Sequence, residues 1–231
     1  MKFIYLLLAL LLAFPSFAHD SVSGIDDLNP NISEEEQAKI DEAITTYYQH
    51  PEVKKVNIVL DIMNGELLRK RTAASPIVGF LTVIFANNKN HVFEWMSRND
   101  YNNYAGDVFI NALLHAGLQE SALVFVQANG WKEEAIEKLR TFKDNTNLKK
   151  LNIILPGHID TLWGAFFASG DEIYVDQIIS VLFMKQLPPS GDTQLPPGDV
   201  LGENKKLASK TLKLYALSHK KVRHAIEERL N

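Results

Sequence analysis

Between Ser33 and Lys185 the chain is a succession of short apolar segments, each closed by Gly, Asn, Asp or Pro. Such punctuation admits short helices or short strands and nothing longer. Spacing decides for helix. Ser33-Glu34-Glu35-Glu36 reads as a capping box, and the helix it opens, to about Gln49, carries Ile40, Ala43, Ile44 and Tyr47 on one face. Pro51 suits the first position of a second helix through Val53, Val56, Val59, Leu60 and Met63, ended by Asn64-Gly65. Ser75-Pro76 offers an N-cap and a first-turn proline to the segment from Ile77 to Phe85. Further helices are expected over Asn90 to Ser97, Asn103 to Ala116, Gln119 to Ala128, Trp131 to Phe142, Leu148 to Leu155, Ile159 to Ala168 and Glu172 to Lys185. Val53 to Leu60 and Leu123 to Gln127 are β-branched or continuous enough to pass as strands. Their lengths and caps match their neighbours, however, and no Asn-Gly hairpin joins two alternating runs. The expected fold class is all-α.

The turns Ala86-Asn87-Asn88, Ala128-Asn129-Gly130 and Ala168-Ser169-Gly170 fall 42 and 40 residues apart. Laying Ile77–Ala86 on Ile159–Ala168 pairs Phe80 with Leu162, Leu81 with Trp163, Ile84 with Phe166 and Phe85 with Phe167. A period of about 41 residues with two helices per unit suits a short right-handed array of antiparallel helix pairs, an α-solenoid of the HEAT or armadillo kind. The alternative is that short helices commonly end in Ala followed by Asn or Gly, whether or not the chain repeats.

The array is expected to end where residues 186–199 (QLPPSGDTQLPPGD) set two Leu-Pro-Pro runs beside Gly and Asp, a Pro-rich linker. Residues 200–231 then form one long basic helix or two, closing the array through Leu207, Thr211, Leu214, Ser218, Val222, Ala225 and Ile226.

At the other end, Lys2, an apolar run from Phe3 to Phe14 and the small-residue pattern Ser16-Phe17-Ala18 read as a secretory signal peptide over residues 1–18, cleaved near Ala18. The run falls short of the roughly 20 apolar residues a spanning helix needs. Export to a periplasm or the medium is the expectation, with residues 19–32 a flexible leader and 33–185 the helical repeat-like domain. Cysteine is absent, which removes thiol nucleophiles, thiolate metal sites and disulfides together.

The net charge of −4 is too mild to name a partner, and no nucleic acid is expected. Its distribution is uneven. Residues 201–231 hold eight Lys or Arg against three Glu, whereas residues 19–52 are acidic apart from Lys39. The basic end can meet an anionic membrane surface or the acidic end of its own chain.

No motif specifies a chemistry, and no cofactor is implied. No His-x-x-x-His pair occurs, and no G-x-S-x-G elbow. His158 and Asp160, two apart at an expected helix start, read as capping groups, with Asp160 the cap and His158 bound to nearby backbone. With His19, the N-terminus that cleavage would expose, they are the outside candidates for a metal or catalytic site. Gly79 and Gly164 lie inside apolar helices, where close packing is the ordinary explanation. Phe93, Trp95, Tyr101 and Tyr104, interleaved with Asn99, Asn102 and Asn103, have the composition of a recognition groove, with Phe93 and one other ring expected in the core.

The run Leu162-Trp163-Gly164-Ala165-Phe166-Phe167-Ala168-Ser169-Gly170-Asp171, with Val175 and Ile178-Ile179, resembles segments of exported bacterial α-helical proteins, and its Ala and Gly at tight turns resemble tetratricopeptide- or HEAT-like repeats. The resemblance implies a scaffold fold and carries over no catalytic residue. The functional expectation is therefore an exported helical scaffold that binds a protein partner. The residues expected to make that contact are Trp95, Tyr101, Asn102, Tyr104, Lys213, Lys220, Lys221 and Arg223.

Overall fold

The structure is a computed structural model that describes residues 34–63, 74–98, 101, 103–141, 147–189, 195 and 198–230. The signal, the leader, Ser33 and Asn64-Gly65 lie outside these residues, as does most of the Pro-rich linker. The described residues form eleven α-helices and no strand. They are α1 (Glu34–Thr45), α2 (Val53–Met63), α3 (Ala74–Asn87), α4 (Lys89–Met96), α5 (Asn103–His115), α6 (Gln119–Ala128), α7 (Glu133–Thr141), α8 (Pro156–Ser169), α9 (Glu172–Phe183), α10 (Val200–Ser218) and α11 (Lys220–Leu230). Both segments that resembled strands are helical.

The centre is the pair α3 and α8. Nearly every residue of each is buried, including Phe80, Leu81, Ile84 and Phe85 on α3 and Leu162, Trp163, Phe166 and Phe167 on α8. Two glycines set their separation. A Cβ on Gly79 would lie 1.8 Å from the Thr161 carbonyl oxygen, and one on Gly164 would lie 1.9 Å from that of Pro76. Each helix thus presses bare backbone against the backbone of the other, which only glycine permits.

The helices that the repeat alignment superimposes are therefore packed directly on each other in space. This departs from an array in which each unit touches only its neighbours, because α3 and α8 are separated in sequence by four other helices. Around them, α5 covers α3, while α1, α9 and α10 pack on α8, and α11 packs on α9 and α10. One apolar cluster runs from Ile40 to Ala225 and takes in all of these layers.

Several expected boundaries move for local reasons. The first helix stops at Thr45 instead of Gln49, because the chain turns there and Tyr48 donates its backbone N–H to the Phe167 carbonyl at 3.0 Å. Ser75 is buried inside the first turn of α3, which starts at Ala74, so it is not the N-cap. No helix spans Leu148 to Leu155. A single 3₁₀ turn over Leu148–Lys150 is followed by extended chain, since Pro156 disfavours helical geometry in the residue before it and occupies the first turn of α8 itself. Asp160 consequently lies one turn into α8 and does not cap it. The basic end is two helices, broken at His219. Its buried face comprises Asn204, Ala208, Thr211, Leu212, Val222 and Ala225, while Leu214 and Ser218 of the expected stripe are exposed.

The turn landmarks are helix C-caps. Gly130 and Gly170 adopt the left-handed conformation (φ 66° and 64°), and so does Gly117 (φ 73°), which lies off the 41-residue period.

Candidate functional site

The C-terminal pair of helices is held on the core by polar contacts. At the break between α10 and α11, His219 is buried, and its ring meets Tyr48, Phe166 and Phe167. Its Nδ1 lies 3.0 Å from the Tyr48 hydroxyl. Burial lowers its pKa, which favours the neutral ring, and the tautomer sets which of the two groups donates. Lys221 donates to the Gly170 carbonyl at 2.6 Å, placing a cation at the C-terminus of α8, where the helix dipole favours it. Further along α11, Arg229 grips Asp176 of α9 through two bonds, at 3.1 and 2.6 Å, and His224 Nδ1 lies 3.0 Å from Glu172. The partners of the basic end thus include the acids of α9, the Gly170 carbonyl and Tyr48.

With α11 pinned inward, α10 turns its opposite side to solvent. Lys206, Lys210 and Lys213 are exposed there, Lys205 is half-buried, and Lys220 follows just past the break. Among the described residues, no acid forms an ion pair with any of these five lysines. Two leucines interrupt the row, Leu214 at 46% and Leu217 at 80% exposure, the latter the most exposed large apolar side chain among the described residues. Arg223 closes the end of the ridge, donating to the carbonyls of Ala216 (2.8 Å) and Leu217 (3.2 Å). These carbonyls belong to the last turn of α10, so one arginine both caps that helix and brings its charge beside Leu217.

The aromatic segment is arranged differently from the expectation. Trp95 is 1% exposed and packs on Phe85, so it belongs to the core. Tyr101 is half-buried against Phe109 and Phe125 and donates its hydroxyl to the Trp95 carbonyl at 2.7 Å. Phe93, expected inside, is 70% exposed. On the short helix α4, Val92, Trp95 and Met96 take the inward positions, and Phe93 falls on the outer side. Asn102 lies outside the described residues, and of Tyr104 only the helical backbone is described. Of the residues expected to bind a partner, Lys213, Lys220 and Arg223 gather on the ridge. Lys221 is committed to Gly170, and Trp95 is buried.

His158 and Asp160 do not assemble a site. Two positions apart on a helix of 3.6 residues per turn, they point about 200° apart. His158 is occupied by backbone, with Nδ1 2.9 Å from the Asn152 carbonyl oxygen and 3.1 Å from the Ile154 nitrogen. A single ring nitrogen serves one of these as hydrogen bond, and burial holds the pKa down to about 4. Burial pushes Asp160 up to about 7. His19 lies outside the described residues.

A second acid of this kind is Asp107 on α5, 6% exposed and pushed up to about 7 by burial. It is the only acid between Asn103 and Ala116, a lone charge in an apolar segment and therefore visible in the sequence. Comparison of the chain with protein-family models, with curated proteins and with solved structures gives no match.

Proposed function

We propose that the chain is an exported helical binding protein that meets an acidic protein surface through the outer ridge of α10. The observation that carries this reading is the row of cations Lys205, Lys206, Lys210, Lys213 and Lys220, unpaired among the described residues, with Leu214 and Leu217 exposed among them. Lysines need no partner on a solvated helix. Large leucines left uncovered among them add apolar area that a partner can bury, worth roughly 25 cal/mol per Å². The charges supply orientation and speed of encounter. Among the described residues, His158, Asp160 and Asp107 belong to no group of three ligands that could hold a metal.

The test is capture from the native envelope and secreted fractions by the mature protein, beside a K206E/K210E/K213E variant. The reading expects one specific acidic protein, retained by the native chain, released by salt and lost with charge reversal. Equal retention by both proteins contradicts it.

The same leucines favour a second reading, in which the ridge lies on an anionic membrane surface. An exposed basic and apolar helix face is suited to that interface. Among the described residues no helix is long and apolar enough to cross a membrane, so the contact would be peripheral. Co-sedimentation with phosphatidylglycerol vesicles, absent with phosphatidylcholine and abolished in L214S/L217S, would select this reading over the first.

A further inference from the structure

One cluster on the opposite side of α11 is independent of the ridge. His224 and Glu228 lie four residues apart on α11, and Glu172 comes from the first turn of α9. Each offers one ligand atom, and the three atoms lie within 4.8 Å of one another; among the described residues no other trio of His, Asp or Glu does so. We infer that Glu172, His224 and Glu228 form a site for a divalent transition metal of the zinc class.

The donor set is one imidazole nitrogen and two carboxylate oxygens, the mixture such ions accept. It differs from a chance meeting of acids on one surface because two helices bring it together and a third contact fixes their relation. Arg229, one residue past Glu228, holds Asp176 through two hydrogen bonds, and Asp176 sits one turn after Glu172. The register of α11 against α9 is thereby set at the point where the ligands meet. His224 Nδ1 is already 3.0 Å from a Glu172 oxygen, whereas bonds of about 2 Å in tetrahedral geometry place neighbouring ligand atoms about 3.3 Å apart. Glu228, 66% exposed at its side chain and 3.5 Å from the other ring nitrogen, completes the trio by turning to the Nδ1 side.

With three protein ligands, the fourth position is open to water. The sequence concealed the site because its histidine is paired with glutamate, His-x-x-x-Glu, and its third ligand is 52 residues away.

The test is calorimetric titration of the metal-free mature chain with zinc chloride, repeated on H224A and E172Q. The native chain is expected to take up one equivalent that H224A lacks, and E172Q to bind it at least tenfold more weakly. Saturation should also raise the melting temperature by roughly 5 °C at a hundredfold excess over Kd, a rise absent in H224A. All three ligands are at the surface, and matching circular dichroism of the variants confirms that the fold is kept. Failure of the native chain to bind zinc, or an unchanged equivalent in H224A, overturns the assignment.

Discussion

The α3/α8 pair and the α10/α11 pair are both amphipathic or apolar helices packed in one core, yet they are held by different means. In the first, contact is backbone on backbone, with Gly79 against Thr161 and Gly164 against Pro76, and no charged side chain except Asp160 appears in either helix. In the second, apolar contacts, among them Tyr215 against Trp163 and Phe167, are supplemented by Tyr48–His219, Lys221–Gly170 and Asp176–Arg229. Shape alone fixes the centre. Polar bonds fix the shoulder, and the face turned away from them is free to carry charge. The pair held by backbone contact and the pair with an exposed basic face are thus separated along the chain.

Substitutions at the glycines should separate the regions most sharply. Alanine is the better helix former by about 1 kcal/mol, but at position 79 it would drive the central helices apart. G79A is expected to lose upwards of about 3 kcal/mol in equilibrium unfolding, and G164A a similar amount. Gly106 is the control, since a Cβ there would lie 3.4 Å from the Trp131 ring and 3.8 Å from Phe125. G106A should stay within roughly 1 kcal/mol of the native protein.

Next in size is G170A. The residue is left-handed, and a Cβ would lie 2.5 Å from Tyr48 Cδ2, so a loss of about 1–2 kcal/mol is expected, together with loss of the tyrosine's contact with His219. That contact alone, removed by Y48F, should cost about 1 kcal/mol, measured by urea unfolding.

Titration gives an effect of similar scale. Asp107 and Asp160 are pushed from 3.8 to about 7, so the folded chain keeps protons that the unfolded chain has released. Their stabilisation is full below the unfolded value and drains as pH rises through 7. His158, lowered from 6.5 to about 4, and His219, also lowered, act oppositely, contributing above 6.5 and losing that contribution as pH falls. Below pH 6.5 the trends oppose each other, and above it the acids act in the same direction as His224, whose pKa is raised by its hydrogen bond to Glu172. Between about pH 6 and pH 8 the native protein should lose about 1.4 kcal/mol through Asp107, a slope absent from D107N.

The smallest expected effect on stability is at the ridge. K206E/K210E/K213E touches no ion pair among the described residues and should melt within about 0.5 kcal/mol of the native protein while the proposed capture of an acidic protein is lost.

The helices were legible because their caps and three-four spacing are local. Gln119–Ala128 appears as read, and the glycines at 79 and 164 were correctly attributed to close packing. What sequence could not supply was which helix lies against which. Pairing of α3 with α8 depends on surfaces far apart in the chain, so a repeat alignment could place the two in register without revealing that they touch. Phe93 and Trp95 were assigned the wrong way round for a related reason. On an eight-residue helix, the inward side is chosen by what packs there, here Phe85, and ring size gives no clue. The ridge was legible as charge, but its separation from the ion-paired side of α11 required the break at His219.

Urea unfolding of G79A beside G106A shows whether α3 and α8 meet backbone to backbone. A large fall in midpoint is expected for G79A, with little change for G106A. A G79A protein as stable as the native one would contradict it, because α3 and α8 could not then meet backbone to backbone.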